Sequence, residues 1–159
     1  MDKKMFCFQC EQTVGCAGCT GNAGVCGKKA DTARLQDELT GALIGLARAV
    51  DSTTAISKRT GQVIIEGLFT TVTNVNFDDV SIENMIQKVR AEKERLVPDC
   101  SKCQSPCVKT DEYDMQQLWN ANEDIRSLKS LILFGIRGMA AYAYHAYVLD
   151  YEDTEVNRF

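Results

Sequence analysis

Residues 31–50 read DTARLQDELTGALIGLARAV and contain the clearest helical pattern in the sequence. Their apolar residues recur three and four positions apart, which places them on one face of an α-helix; a half-buried strand would require strict alternation. These residues are Leu35, Leu39, Ala42, Leu43, Leu46, Ala49 and Val50. With Asp31 as its N-cap, the helix is predicted to run to about Val50.

Three further helices are predicted downstream of this stretch. Residues 60–73 favour a helix, although their valines, isoleucines and threonines would also suit a strand. Residues 78–96 form a clearer pattern, with apolar residues at helical spacing, Asp78 as the N-cap and Pro98 following the end. These apolar residues are Ile82, Met85, Ile86, Val89 and Leu96. A short helix is expected at residues 113–120, in the connection that leads to the last long element.

The longest predicted helix runs from residue 122 to about residue 149. Asn122 is its expected N-cap, and Glu123 and Asp124 suit the positive end of the helix dipole. Its apolar spacing predicts a buried stripe on one face. The stripe consists of Ile125, Leu128, Ile132, Ile136, Met139, Ala143, Ala146 and Tyr147.

These elements predict an all-α fold, a helical bundle of four to five helices preceded by a Cys/Gly-rich loop. Residues 1–29 form the loop and residues 30–159 the bundle, together one domain, as suits a chain of 159 residues. Residues 151–159, with Asp153 and Thr154 as caps, read as the start of a helix without its body. We therefore expect a bundle that is truncated at the C-terminus.

The composition is that of a mildly acidic protein. A formal charge of −4 gives no attraction to nucleic acid or to an anionic membrane surface. No signal peptide or membrane span is recognisable, so a cytoplasmic location is expected. In a reducing compartment, eight cysteines argue for metal binding or chemistry rather than for disulfides.

Five of the eight cysteines lie within the first 26 residues, among glycines and without apolar periodicity. An iron–sulfur cluster requires converging thiolates, and the spacing Cys7-x2-Cys10-x8-Cys19-x6-Cys26 can wrap a chain around one. Lys28 and Lys29 follow at once and would stabilise its negative charge. Two alternatives remain: zinc held by Cys7, Cys10, Cys16 and Cys19, and free thiols without metal.

Several motifs resemble the N-terminal helical domain of the hybrid-cluster proteins, also called prismane proteins or hydroxylamine reductases. The resemblance covers nearly the whole chain. In the cysteine loop it rests on residues 5–13 (MFCFQCEQT), 18–20 (GCT) and 24–28 (GVCGK). Downstream it rests on residues 35–37 (LQD), 67–69 (GLF), 73–78 (TNVNFD), 122–128 (NEDIRSL) and 135–145.

The resemblance implies that Cys7, Cys10, Cys19 and Cys26 hold a [4Fe-4S] cluster. In this family the eight-residue gap accompanies [4Fe-4S], whereas a longer gap accompanies a [2Fe-2S] cluster. The last gap is six residues here and five in some members, and the matched positions do not include Cys16, Cys100, Cys103 or Cys107. We predict that these four are spare thiols.

The resemblance also implies an oxidoreductase whose first domain relays electrons to a hybrid cluster, where hydroxylamine or nitric oxide is reduced. The ligands of that second cluster come from later domains of the family, and His145 matches a first-domain position without a catalytic role. The expected partners are a redox donor protein and the remaining domains. Uncovered faces near Tyr142 to Tyr151 further predict a homo-oligomer. The alternative function is a metal-stabilised structural domain without redox turnover.

The aromatic residues of the C-terminal half are predicted to pack against other side chains. Tyr142, Tyr144, Tyr147 and Tyr151 recur at helical spacing, which is more typical of core or interface packing than of an electron path. Trp119 is predicted to anchor the connection ahead of the long helix.

Overall fold

The structure, a computed structural model, describes residues 5–10, 17–50, 56–72, 76–97 and 111–158. Its helices are α1 (Ala30–Ala49), α2 (Lys58–Thr70), α3 (Asp79–Leu96), α4 (Met115–Trp119), α5 (Glu123–Tyr147) and α6 (Thr154–Arg158). In these ranges there is no β-strand, only an isolated bridge between Cys7 and Cys19. The predicted all-α fold is therefore confirmed; of the six helices described, α4 and α6 are only five residues long.

The helix starts agree with the sequence at α3 and α5 but not at α1. Asp78 accepts a hydrogen bond from the backbone N–H of Val80 at 3.2 Å, and Asn122 accepts one from Asp124 at 3.0 Å. The N-cap of α1 is Lys29, without a side-chain hydrogen bond, and Asp31 lies in the first turn. The predicted Asp31 cap was wrong because the chain is already helical at Ala30; in the first turn, the Asp31 carboxylate still faces the positive helix end.

The hydrophobic core lies between α1, α2 and α3. Apolar side chains of α1 interlock with those of α3, and Val63 contributes from α2. Leu39, Leu46, Ile82 and Val89 are completely buried. This core contains most of the apolar positions predicted for α1 and α3, so the periodicity identified the packed faces of both helices correctly.

The predicted buried stripe of α5 is wrong. Leu128 is 62% exposed, Ile132 58% and Ile125 49%, whereas Arg137 and Ala140 are the buried residues of this helix. α5 packs against α2 through the other face, where Tyr144 stacks on Phe69 with 4.5 Å between ring centroids. Because α5 is apolar on two faces, its spacing alone did not indicate which face contacts the domain.

The remaining aromatic residues differ in their packing. Tyr142 and Tyr151 are 83% and 72% exposed, so the packing expected of them has no partner among the described residues. His145 is exposed and contacts Phe69 edge to face at 5.4 Å. No helix within the described ranges is long and apolar enough to cross a membrane.

Candidate metal centre

The first and third candidate ligands lie opposite each other. The Cys7 N–H donates to the Cys19 carbonyl at 3.1 Å, and the Cys19 N–H donates to the Cys7 carbonyl at 2.7 Å. Both side chains are buried, 6% exposed each. Gly18 has a φ of +97°, and a Cβ there would lie 3.2 Å from the Cys7 carbonyl oxygen, so this close pairing requires glycine.

Cys26 lies in a tight turn that closes between Gly24 and Lys28. The Gly24 N–H donates to the Lys28 carbonyl at 2.8 Å, and the Gly27 N–H donates to the Gly24 carbonyl at 2.9 Å. Gly27 has a φ of +84°, which L side chains rarely adopt. A Cβ on Gly24 would come within 3.5 Å of the Cys26 sulfur and 3.4 Å of the Met5 methyl carbon, so the turn packs against the segment that leads to Cys7.

All four candidate cysteines are free thiols, with Cys10 and Cys26 half-buried. The structure brings Cys7 and Cys19 together, but within its described ranges no three His, Cys, Asp or Glu side chains are grouped closely enough to hold a metal ion. Cys16, Cys100, Cys103 and Cys107 lie outside the described residues. The ligand set Cys7, Cys10, Cys19 and Cys26 therefore stays a prediction.

The cysteine loop contains a buried lysine near its end. Lys28 is 2% exposed, and its ammonium group donates to the side-chain oxygens of Gln9, at 2.7 Å, and of Gln36. Lys29, in contrast, is exposed. Both partners of Lys28 are neutral amides, so its charge is buried without a carboxylate in hydrogen-bonding contact.

A second buried cation approaches the same loop from α5. Arg137 donates to the hydroxyls of Thr71 and Thr40, at 3.0 Å each, and its third hydrogen bond reaches the Gln9 carbonyl at 3.4 Å. Burial lowers the pKa of Arg137, and nearby Asp37, Cys7 and Cys10 counteract this effect. Arg137 therefore places positive charge next to the turn between the first two candidate ligands.

Gln9 connects these groups to the helices. Its side-chain amide donates to the Ala33 carbonyl at 3.0 Å and to the Asp37 carboxylate at 2.7 Å, while its oxygen accepts from Lys28. Lying between Cys7 and Cys10 in the sequence, it fixes the Cys7–Cys10 turn against α1. No cysteine pattern points to a glutamine in this role, and sequence reasoning missed it.

Asp37 is the carboxylate that accepts a hydrogen bond from Gln9. Burial raises its pKa from 3.8 to about 6, although the Gln9 hydrogen bond and the charges of Arg137 and Lys28 act in the opposite direction. Near neutral pH one carboxylate thus accompanies two buried cations. Burial also raises the pKa of the Cys7 thiol, with the backbone hydrogen bond at Gln9 and the charge of Lys28 opposing it.

The residues around the loop match an iron–sulfur cluster in donor type and in charge. The donor set fits, because thiolates are the usual protein ligands of such clusters. The electrostatics also fit, because a buried excess of positive charge is costly unless an anion compensates it, and a cluster with four thiolates is anionic. The agreement concerns donor type and charge only, because the described residues do not bring three or more candidate ligands together.

Two aromatic residues of the cysteine loop contact an aromatic residue of α4. Trp119 contacts the rings of Phe6 and Phe8 at 5.1 and 5.0 Å between centroids. Arg126 lies 4.7 Å above the Trp119 ring and donates to the Trp119 carbonyl at 3.1 Å. The predicted anchoring role of Trp119 is thereby confirmed and extended, since it ties the cysteine loop to α4 and α5.

Comparison with known proteins gives a consistent family match. The model of the Prismane/CO dehydrogenase family matches residues 5–159. Among curated proteins, the chain is similar to the hydroxylamine reductases of Clostridium perfringens (38% identical), Porphyromonas gingivalis (39%) and Thermodesulfovibrio yellowstonii (41%). These alignments cover 98–100% of this chain but only 32% of each relative, so the chain spans about a third of their length.

Proposed function

The chain belongs to the Prismane/CO dehydrogenase family, and we propose that it is the iron–sulfur electron-transfer domain of a hydroxylamine reductase of the hybrid-cluster type. Cys7, Cys10, Cys19 and Cys26 would hold one [4Fe-4S] cluster. The domain would accept electrons from a redox donor protein and pass them to a catalytic cluster held by the other two thirds of the full-length protein.

The single observation that supports this proposal best is the pair of buried cations at the cysteine loop. Lys28 and Arg137 both donate to Gln9, one to its side chain and one to its carbonyl. Neutral hydrogen-bond donors could hold a purely structural loop in the same way, whereas each buried charge costs free energy to desolvate. They are understandable if the loop carries a negative group that they stabilise.

When bound, a four-thiolate cluster supplies one-electron transfer and leaves no iron open to bind an N–O bond. The residues of this chain have three tasks around it. Gln9 holds the Cys7–Cys10 turn against α1, Lys28 and Arg137 favour the reduced, more negative state, and the rings of Phe6, Phe8 and Trp119 shield one side of the loop from water. These tasks are positioning, electrostatic tuning and solvent exclusion.

The proposal predicts electron transfer without substrate turnover by this chain alone. After anaerobic reconstitution with iron and sulfide, the protein should be brown and should bleach on addition of dithionite. Mixed with hydroxylamine, the reduced protein should form little ammonia above a buffer control, because the open-iron site belongs to the rest of the protein.

Two results would contradict the proposal. Many turnovers of hydroxylamine per chain, abolished by Cys7→Ser, would show that this chain contains the catalytic site. A colourless protein that takes up zinc rather than iron under the same anaerobic conditions would instead support the structural domain without redox turnover.

A further inference from the structure

A carboxylate on α1 is linked to the buried lysine of the cysteine loop through a single side chain. Asp37 accepts a hydrogen bond from the side-chain nitrogen of Gln9 at 2.7 Å, and the side-chain oxygen of Gln9 accepts one from Lys28, also at 2.7 Å. Hydrogen bonds that share one amide group polarise each other. A change of charge at the loop therefore acts on Asp37 through Gln9.

The charge of Asp37 also acts on the first candidate ligand. Burial is the main reason why the pKa of the Cys7 thiol is raised; among the charges nearby, Asp37 adds to the rise and Lys28 opposes it. Such an interaction is mutual. Each negative charge added at the cysteines therefore favours the protonated, neutral form of Asp37.

The surroundings of Asp37 allow it to gain and lose a proton near neutral pH. Burial raises its pKa to about 6, and Asp114, the N-cap of α4, adds to the rise. The Gln9 hydrogen bond and the charges of Arg137 on α5 and Lys28 in the loop act against it. Opposing influences of this kind leave neither form of the carboxyl group strongly preferred.

A route for protons lies beside the same carboxylate. Asp37 lines an open cleft of about 500 Å³ between the start of α1 and the segment that leads into α4. Water in this cleft can exchange protons with Asp37. The other charged residues that line the cleft are Asp31, Arg34, Glu38, Glu112 and Asp114. Since carboxylates outnumber cations there, the cleft attracts protons rather than repels them.

Resting on the proposed function, we propose that Asp37 takes up a proton when the cluster is reduced. One electron enters the cluster from the redox donor, and one proton passes from water in the cleft to a carboxylate oxygen of Asp37, where an O–H bond forms. The added negative charge is thereby neutralised, so the net charge around the loop stays the same. On oxidation the electron leaves for its acceptor and the proton returns to water.

Two other titratable residues provide controls. Glu38 lines the same cleft next to Asp37, but its carboxylate accepts a hydrogen bond from Arg90 at 3.0 Å. His145, the one histidine of the sequence, is exposed and contacts Phe69 on α2. A proton taken up at the Gln9 network should depend on Asp37 and on neither of these residues.

The first test is potentiometric titration of the anaerobically reconstituted chain between roughly pH 5.5 and 8.5. The reduction potential should fall as the pH rises, by up to about 59 mV for each tenfold fall in proton concentration. Asp37→Asn should remove most of this slope, because an amide cannot take up the proton. Glu38→Gln and His145→Gln should retain it.

The second test does not depend on the folding of a variant. The original chain is reduced at an electrode near pH 7 in weak buffer with an indicator dye, and proton uptake should approach about one proton per electron. Infrared difference spectra, reduced minus oxidised, should show the carbonyl band of a newly protonated carboxyl group. That band should be absent from Asp37→Asn.

The outcomes separate this inference from the proposed function. A reducible cluster without proton uptake, or a slope that survives in Asp37→Asn, would overturn the role of Asp37 and leave the proposed function intact. A chain that takes up no iron and sulfide would overturn the proposed function, and the role of Asp37 with it.

Discussion

The three-helix core and the cysteine loop are held together by different forces. In the core, side chains such as Leu39 and Val89 are completely buried among other apolar groups of α1, α2 and α3. In the loop, the apolar cluster is small, and the chain depends on hydrogen bonds of Gln9 and on the buried charges of Lys28 and Arg137. Apolar burial thus dominates in the three-helix core, and buried polar and charged groups dominate at the cysteine loop.

If the proposed function holds, the core folds without a bound metal, whereas the loop binds one. Hydrophobic burial in the core is independent of any ligand. The buried cations of the loop, by contrast, carry a desolvation cost that only an anionic ligand would offset fully. Mutations in the two regions should therefore affect different observables.

The largest change in the free energy of unfolding is expected for a substitution in the core, at Val89 of α3. Val89 is completely buried, and Val89→Ala should lower the free energy of unfolding by about 2 to 3 kcal/mol through lost burial and the cavity left behind. Val80, 63% exposed, is the matched control, and Val80→Ala should cost less than about 0.5 kcal/mol. Urea denaturation of both variants measures the contrast, and equal losses would contradict it.

A smaller effect, dependent on pH, is expected at the boundary of the two regions. Because burial raises the pKa of Asp37 from 3.8 to about 6, its protonated form stabilises the fold at low pH. That contribution is present below pH 3.8 and is lost as the pH rises through about 6. Asp37→Asn should therefore gain stability relative to the original chain as the pH rises from 4 to 7, by on the order of 1 to 2 kcal/mol.

The same variant supplies its own check. This relative gain should disappear as the pH falls from 7 towards 4, since Asp37 then becomes neutral in the original chain as well. Glu83→Gln, at an exposed position of α3, serves as the control and should show no such trend. A difference in stability between Asp37→Asn and the original chain that stays constant over this pH range would place the pKa of Asp37 elsewhere.

The smallest change in stability, but a clear change in redox behaviour, is expected at Lys28. Lys28→Met removes a buried charge and also its hydrogen bonds to Gln9 and Gln36, so the two effects should cancel to within about 1 kcal/mol in the metal-free protein. In the reconstituted protein, loss of the cation should lower the reduction potential by on the order of 50 mV.

The neighbouring lysine is the control for that measurement. Lys29 is exposed, and solvent and salt screen its charge, so Lys29→Met should shift the potential by less than about 20 mV. Potentiometric titration followed by absorbance gives both values. Equal shifts for the two variants would indicate that burial of Lys28 has no role in tuning.

Local pattern was enough to predict the helices, because spacing and capping are local properties. The apolar repeat of α1 and α3 and the caps Asp78 and Asn122 were predicted from the sequence and are confirmed. The packed face of α5 was not, because both faces are apolar and the choice depends on contacts with α2. Periodicity reports that a face is apolar, not that it is covered.

The site was predicted only in part, for a similar reason. The cysteine spacing and the charge of Lys28 are visible in the sequence. The contacts of Arg137 are not, because its partners Thr71 and Thr40 are separated from it by 66 and 97 positions along the chain. Its one signal in the sequence is an arginine inside an apolar run. Contacts of Gln9 with Ala33 and Asp37 likewise depend on how the loop folds onto α1.

Iron and acid-labile sulfide content after anaerobic reconstitution tests the central claim most directly. The account predicts about four irons and four sulfides per chain. It further predicts that Cys7→Ser, Cys10→Ser, Cys19→Ser and Cys26→Ser each lose most of them, whereas Cys16→Ser keeps the full amount. Full iron content in Cys26→Ser, or its loss in Cys16→Ser, would contradict the assignment of Cys7, Cys10, Cys19 and Cys26 as the ligands of a [4Fe-4S] cluster.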